Sequence, residues 1–569
     1  MTGNSFWWKE CVFYQIYPKS FCDSNGDGVG DIPGIISKLD YLRELGVGAL
    51  WICPIYPSPG YDNGYDISDY ESIDATFGTM EDFERLISET HARGMRLIID
   101  MVVNHSSDMH PWFRRALADR DSPERDYFIW REPDENGAPP NNWGALFGGS
   151  AWTRDDASGQ YYLGLFSSRQ PDLNWANPKL RREVYGIMRR WLERGADGFR
   201  LDVISLIAKP EDWSDGPVGR SGNHDPRGRA AANPAVHEYL REMRREVFDG
   251  RDVVAVGEAA ATGLDNAVRF TSPDSGELDM VFQFEHMNLD GGETFKWNDN
   301  VIPVFALKQV MTKWQLGLSG KGWNALFWDN HDQPRMLSRL GDEGQYRERS
   351  AKMLAVCLHL LQGTPFVYQG EELGMVNMSF TDPSQLRDSE SINALERYTA
   401  TGEISREDML KYISLKSRDT ARTPMQWNSG QNAGFTAGTP WMDINPNYTS
   451  INAAEQETRE DSVLSFYKKL IRLRMRSETI VYGEYAAYMP EHPSVFAYTR
   501  RLGGELILVC CNFSRSAQRF PAPIGYIDAK TKVILGNFEG SEYMKTEVLA
   551  PFEALVLTKN EEMIQPCPM

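Results

Sequence analysis

The chain has 569 residues, 41% of them hydrophobic and 12% aromatic, enough for a large core and too many for one ordinary domain. With 80 acidic against 60 basic side chains it carries a formal charge of −20, which repels phosphate backbones and anionic membranes and argues against nucleic-acid partners. The first nine residues hold no apolar signal core and no apolar run reaches spanning length, so a soluble, cytoplasmic protein without a membrane partner is expected.

In chain order, eight short apolar segments rich in β-branched and aromatic residues recur, most followed by a helical pattern: 12–18, 49–56, 96–103, 198–203, 253–258, 278–284, 324–332 and 364–371. Continuous apolar strands separated by helices predict a parallel sheet covered on both faces, and eight is the number that closes an α/β barrel of the (β/α)8 (TIM) type. Between the first two, Ile35, Ile36, Leu39, Leu42 and Leu45 share one helical face, and Gly46 stops the helix. Before the third, Thr79 and Asp82 form a capping-box pattern ahead of Phe83, Leu86 and Ile87, with Gly94 at the far end. From His105 to about Asn177 the text is polar and rich in Pro, Gly, Trp and Asp, too long for a simple loop, so an inserted subdomain is expected after strand 3. A helix is expected over 462–474, and alternating segments at 494–500 and 505–512 then predict a C-terminal antiparallel β-sandwich. The expected division is a barrel over 1–105 and 178–480, an insert over 106–177 and a sandwich over 481–569. Seven cysteines without CxxC or metal-finger spacing read as reduced thiols: Cys53, Cys357, Cys510 and Cys511 in apolar segments, Cys567 exposed near the end, Cys11 and Cys22 besides.

In such a barrel the polar residues at the carboxyl ends of the strands converge on one pocket. Here they are Asp62 and Tyr65 in DNGYD, Asp100, Asn104 and His105 in DMVVNH, Arg200 and Asp202 in GFRLD, Glu258 in VGEA, and His331 with Asp332 in NHD. Glycoside cleavage fits this set, because it needs one carboxylate to attack the anomeric carbon and one protonated carboxyl to serve the leaving oxygen. Asp202 and Glu258 take those roles; Arg200, two residues away on the same strand face, is expected to keep Asp202 ionised, and Glu258 to carry a raised pKa. Asp332 is expected to bind sugar hydroxyls, with His105 and His331 donating hydrogen bonds. A lone strand-end Asp is more often a cap or turn former, and a His/Asp cluster can ligate zinc, but no HxH or HExxH spacing supports the latter.

These motifs resemble the α-amylase superfamily of glycoside hydrolases, family 13, and within it the oligo-1,6-glucosidase and α-glucosidase group. DMVVNH is similar to the first conserved region of that family, GFRLDV to the second, VGEA to the third, NHD to the fourth and QPDLN, at 170–174, to the fifth; GTPFVYQGEELGM and RTPMQW extend the likeness along nearly the whole chain. The resemblance implies Asp202 as nucleophile, Glu258 as acid/base and Asp332 as transition-state stabiliser. It implies a glucose subsite that also contains Asp62, Tyr65, His105, Phe166, Arg200, His331 and Arg418, with Asp62 and Arg418 closing its blind end and so imposing exo action. One departure stands out: Ala259, Ala260 and Ala261 follow Glu258 where the family carries bulkier or more polar residues. Val203, directly after the nucleophile, accompanies α-1,6 specificity in the resembling family, and Lys296 and Glu390 look like the pair that holds the leaving glucose in dextran-cleaving relatives; valine is also a common strand residue and loop charges are usually solvated.

Asp23, Asn25, Asp27, Val29 and Asp31 place oxygen donors at alternate positions around Gly28, like the first nine positions of an EF-hand loop without its closing glutamate. Together with the resemblance this implies a structural Ca²⁺, and no organic cofactor. Rival readings are trehalose-6-phosphate hydrolase, which shares GWNALFW but tends to carry HHLK where this chain has FEHMNLD, α-1,4-glucosidase, and the sucrose isomerases, whose RLDRD loop is replaced here by SRLGDEG. A catalytically inert amylase-like binding protein need not keep the carboxylates and would carry a membrane segment. The oligomeric state is left open.

Overall fold

The computed structural model describes residues 6–560 apart from 219–222, 232 and 293–294; Cys567 lies outside the described residues. Eight parallel strands close a barrel: β1 (Phe13–Ile16), β2 (Ala49–Ile52), β3 (Arg96–Val102), β4 (Gly198–Asp202), β5 (Val254–Glu258), β6 (Met280–Phe282), β7 (Asn324–Leu326) and β8 (Thr364–Tyr368), with β8 paired back onto β1. The strands are buried almost throughout, as a parallel sheet walled by helices requires. β7 is much shorter than the apolar run from 324 to 332 suggested, so the NHD residues sit on the loop beyond it, free of the ladder. At Gly198, φ of 143° and the close approach of the Val254 backbone leave no room for a Cβ, which lets β4 begin tight against β5.

Local signals set the covering helices. Thr79 and Asp82 form the reciprocal capping box at the start of the helix Met80–Ala92, whose Phe83, Leu86 and Ile87 are buried. The single helix read from Ile35 to Leu45 is two, Ile32–Ser37 and Leu39–Leu45, broken at Lys38; Asp31 caps the first and Gly46, at φ 99°, ends the second. The break turns Ile36 partly outward while Ile35, Leu39, Leu42 and Leu45 remain buried.

Between β3 and β4 the chain forms a helix, Pro111–Ala118, and a three-stranded antiparallel sheet with Tyr161–Leu163 between Trp130–Arg131 and Trp152–Arg154. After the helix Val463–Met475, capped by Ser462, five antiparallel strands follow in the order Glu484–Tyr488, Val495–Leu502, Glu505–Asn512, Ala554–Asn560, Lys532–Gly536. A two-stranded ribbon, Gln518–Arg519 with Val548–Leu549, covers one face through Phe520 and Leu549 against Val495 and Leu508. The other face packs on the barrel, where Tyr498 donates to the Cys357 carbonyl at 2.8 Å. Cys11 and Cys22 are buried like Cys53, Cys357, Cys510 and Cys511, and all six are free. Among the described residues no helix is long and apolar enough to cross a membrane.

Candidate active site

Asp202 and Glu258 are the last residues of β4 and β5, adjacent strands paired through Leu201 and Gly257, so both carboxyls emerge at one end of the barrel. Register also sets Asp100 on β3 opposite Arg200 on β4. Arg200, 1% exposed, serves all three acids: Nη1 donates to Asp100 Oδ1 at 2.7 Å and to Asp202 Oδ1 at 2.6 Å, and Nη2 to Glu258 Oε2 at 2.5 Å. Asp100 is anchored further by Trp51 Nε1 at 2.9 Å and the Tyr65 hydroxyl at 3.0 Å, which holds the guanidinium from behind.

One cation cannot neutralise three buried carboxyls, and protonation relieves the remainder. Burial pushes Asp202 up to about 7 and Glu258 up to about 8, in each case against the pull of Arg200. Arg200 therefore does not hold Asp202 low, as the sequence suggested: burial outweighs its pull, and its charge is shared with Asp100 and Glu258. The two acids titrate as a pair, and the proton held more tightly belongs to Glu258.

Val203 leaves β4 with φ 36° and ψ 38°, a left-handed conformation costly for a β-branched residue. The turn aims its N–H at Glu258 Oε2, 3.0 Å away, and buries its side chain among Phe147, Phe166 and Leu206.

Asp332 lies across from this pair. Burial would raise it, but the Arg418 and Arg422 guanidiniums more than offset that and hold the carboxyl well below the usual range. Arg422 Nη2 donates to its Oδ1 at 2.7 Å and Arg418 Nη1 approaches at 3.4 Å, while its side chain stays 30% exposed toward the cavity. Arg418 Nη2 also donates to Asp62 Oδ1 at 2.9 Å and to Asp388 Oδ1 at 2.5 Å, and Gln170 donates to the second Asp62 oxygen at 2.9 Å. Burial lowers His331 to about 3, a neutral ring; Gln15 donates to Nδ1 at 2.8 Å, which leaves the proton on Nε2. That Nε2 is buried without a hydrogen-bond partner among the described residues, 3.4 Å from Asp332 Oδ2. Tyr65 stacks on the same ring at 4.9 Å, and Phe166 leans on His105 at 4.9 Å. A buried N–H facing a polar cavity is a donor for a ligand hydroxyl.

Lys296 and Glu390 lie apart from the reacting end, paired at 2.5 Å, with Glu390 3.7 Å from Arg418 Nε. Glu390 lines a cavity of about 730 Å³ that includes none of Asp202, Glu258 and Asp332. Supporting residues without assigned roles in the sequence reading are Gln15, Trp51, Gln170, Asp388 and Arg422. Of these, Gln170 inside QPDLN and Arg422 at the start of RTPMQW carried a motif signal.

In the loop after β1, Asp23 accepts from the N–H groups of Asn25, Gly26 and Gly28, Asn25 from Asp27, and Asp27 from Val29. Asp31 is occupied otherwise: Oδ1 caps Gly34 and Oδ2 accepts from Ser24. Among the described residues no group of three His, Cys, Asp or Glu side chains is arranged to hold a metal. The remaining donors, Asp23, Asn25, Asp27 and the Val29 carbonyl, are all oxygens, the chemistry a hard cation takes, and no Lys or Arg ion pair neutralises them among the described residues.

Residues 15–483 match the family described as alpha amylase, catalytic domain. The chain belongs to the alpha-amylase family. Within the family it is 51% identical to an oligo-1,6-glucosidase of Parageobacillus thermoglucosidasius over 97% of this chain and 98% of that protein. It is 48% identical to a trehalose-6-phosphate hydrolase of Bacillus subtilis, over 98% and 99% of the two chains. The solved isomaltulose synthase of Klebsiella sp. LX3 superposes with a TM-score of 0.94 at 43% identity, covering 98% of this chain and all of that one. The protein is thus a glycoside hydrolase by family, with its strand-end carboxyls in place.

Proposed function

We propose that this protein is a retaining, exo-acting α-glucosidase that releases the non-reducing terminal glucose of short α-1,6-linked oligosaccharides such as isomaltose. The observation that carries the reading is the Asp202–Arg200–Glu258 cluster: two carboxyls on adjacent nitrogens of one guanidinium, with the higher proton affinity on Glu258. Asp202 attacks the anomeric carbon as the glycosidic bond breaks, and the departing oxygen takes the Glu258 proton. Glu258 then removes a proton from water, which attacks the same carbon and frees Asp202. Asp332, Arg200 and the His331 Nε2–H bind the sugar hydroxyls, and the Asp62–Arg418 ion pair walls the far end so that only a terminal unit fits.

The α-1,6 preference rests on Val203, on the Lys296–Glu390 pair at the cavity wall and on the relatives named oligo-1,6-glucosidase. The trehalose-6-phosphate relative favours a second reading, and Arg397, stacked on Tyr398 at the same cavity, is the cation that an anionic leaving group would use. Against it, Arg227 on that wall is already paired with Asp225, and Lys296, between Phe295 and Trp297, with Glu390. A structural Ca²⁺ bound by Asp23, Asn25, Asp27 and Val29 would stiffen the loop after β1, and six buried free thiols fit a reducing, cytoplasmic setting. A hydrolysis panel of isomaltose, maltose, sucrose, trehalose and trehalose 6-phosphate tests the reading: isomaltose turned over fastest supports it, and trehalose 6-phosphate turned over fastest replaces it with the second.

A further inference from the structure

We propose that Phe295 is a stacking platform for a second leaving-side glucosyl unit and makes the enzyme favour substrates longer than a disaccharide. This rests on the α-1,6-glucosidase reading. Phe295 is 51% exposed, an apolar ring that stands on a cavity wall with other aromatics. It lines the cavity of about 730 Å³ together with Phe147, Trp297, Glu390 and Tyr398. That cavity adjoins the glucose pocket, because Phe147 on its wall packs against Phe166 and shares a buried cluster with Val203, whose N–H reaches the Glu258 carboxyl.

The ring is also held in place. Phe295 has φ of 60°, unfavourable for a bulky side chain, and its backbone closes a tight turn through two hydrogen bonds with Gly292, at 2.7 and 3.1 Å. The next two residues pin the chain: Lys296 pairs with Glu390, and Trp297, 5% exposed, is packed with Met378, Phe380 and Leu395. A backbone anchored at the two residues after an exposed aromatic presents a flat apolar face at reduced entropic cost on binding. A glucopyranose offers the complementary surface, an apolar C–H face with hydroxyls at its rim, for which Asn393 and Arg397 on the same cavity provide polar partners. With the Lys296–Glu390 pair as the holder of the leaving glucose, Phe295, the residue before Lys296, lines the same cavity as Glu390, where the next sugar unit would lie.

The test compares kcat/KM for isomaltotriose and isomaltose in the wild type, Phe295→Ala and Phe295→Tyr. The wild type is expected to favour isomaltotriose. Phe295→Ala should lose about threefold to tenfold more on isomaltotriose than on isomaltose, the range a single aromatic contact supplies, and Phe295→Tyr should restore the ratio. An unchanged ratio in Phe295→Ala, whether both substrates fall together or neither does, overturns the proposal. Wild-type enzyme inactive on both sugars would overturn the α-1,6 reading instead.

Discussion

Glu258→Gln should make the protein more stable at neutral pH while removing its acid. In the folded chain burial lifts the Glu258 carboxyl to about 8, against 4.5 for the free group. Between those values the folded state retains a proton that the unfolded chain releases, so stability falls as pH rises through the window. At pH 7 the wild type has crossed some 2.5 of those pH units, a destabilisation of about 3 kcal/mol at 1.36 kcal/mol per unit. Glutamine keeps the shape, and its carbonyl can still accept from Arg200 and the Val203 N–H, but it has no proton to lose. With an unfolding entropy of about 2.1 cal/mol/K per residue, the gain corresponds to a rise of about 2–3 °C in Tm for a chain this long. Scanning calorimetry at pH 7 and at pH 4 checks it: the variant should melt higher at pH 7 and level with the wild type at pH 4. A variant no more stable at pH 7, or equally stabilised at both, would refute the raised proton affinity.

The same variant should lose far more activity on isomaltose than on an aryl glucoside whose leaving group needs no proton, and equal loss in the two kcat values would count against the acid role. Asp202→Asn should abolish turnover with Tm preserved, since the amide cannot attack; near-normal kcat would remove Asp202 as nucleophile. Val203→Ala should shift the isomaltose-to-maltose ratio of kcat/KM toward maltose, and a wild type that already prefers maltose would sink the linkage assignment. EDTA should lower Tm and excess calcium restore it, by mass action on the folded state alone; no difference, with no metal in the purified protein, would remove the ion from the account.

Much of this was legible in the sequence because barrel strands and their ends are local patterns. GFRLD and VGEA each carry their strand and its terminal acid within five residues, and the capping box is set within the four residues from Thr79 to Asp82. What was not legible depends on distance in space. Arg200 was read as the partner of Asp202 alone because i and i+2 share a strand face, whereas parallel register adds Asp100 and the neighbouring strand adds Glu258. The Asp388 and Arg422 contacts join residues 30 or more positions apart, so even RTPMQW, which begins at Arg422, does not announce which acids that arginine holds. The break at Lys38 was hidden for a related reason, since a hydrophobic stripe continues across it while only the backbone turns.

The central claim is cleavage of an α-1,6 bond with retention at the anomeric carbon. Proton NMR of the first glucose released from isomaltose tests it directly, before mutarotation mixes the anomers. α-Glucose should appear first and β-glucose grow in only afterward; β-glucose appearing first, or isomaltose left uncut, would contradict retaining α-1,6 cleavage.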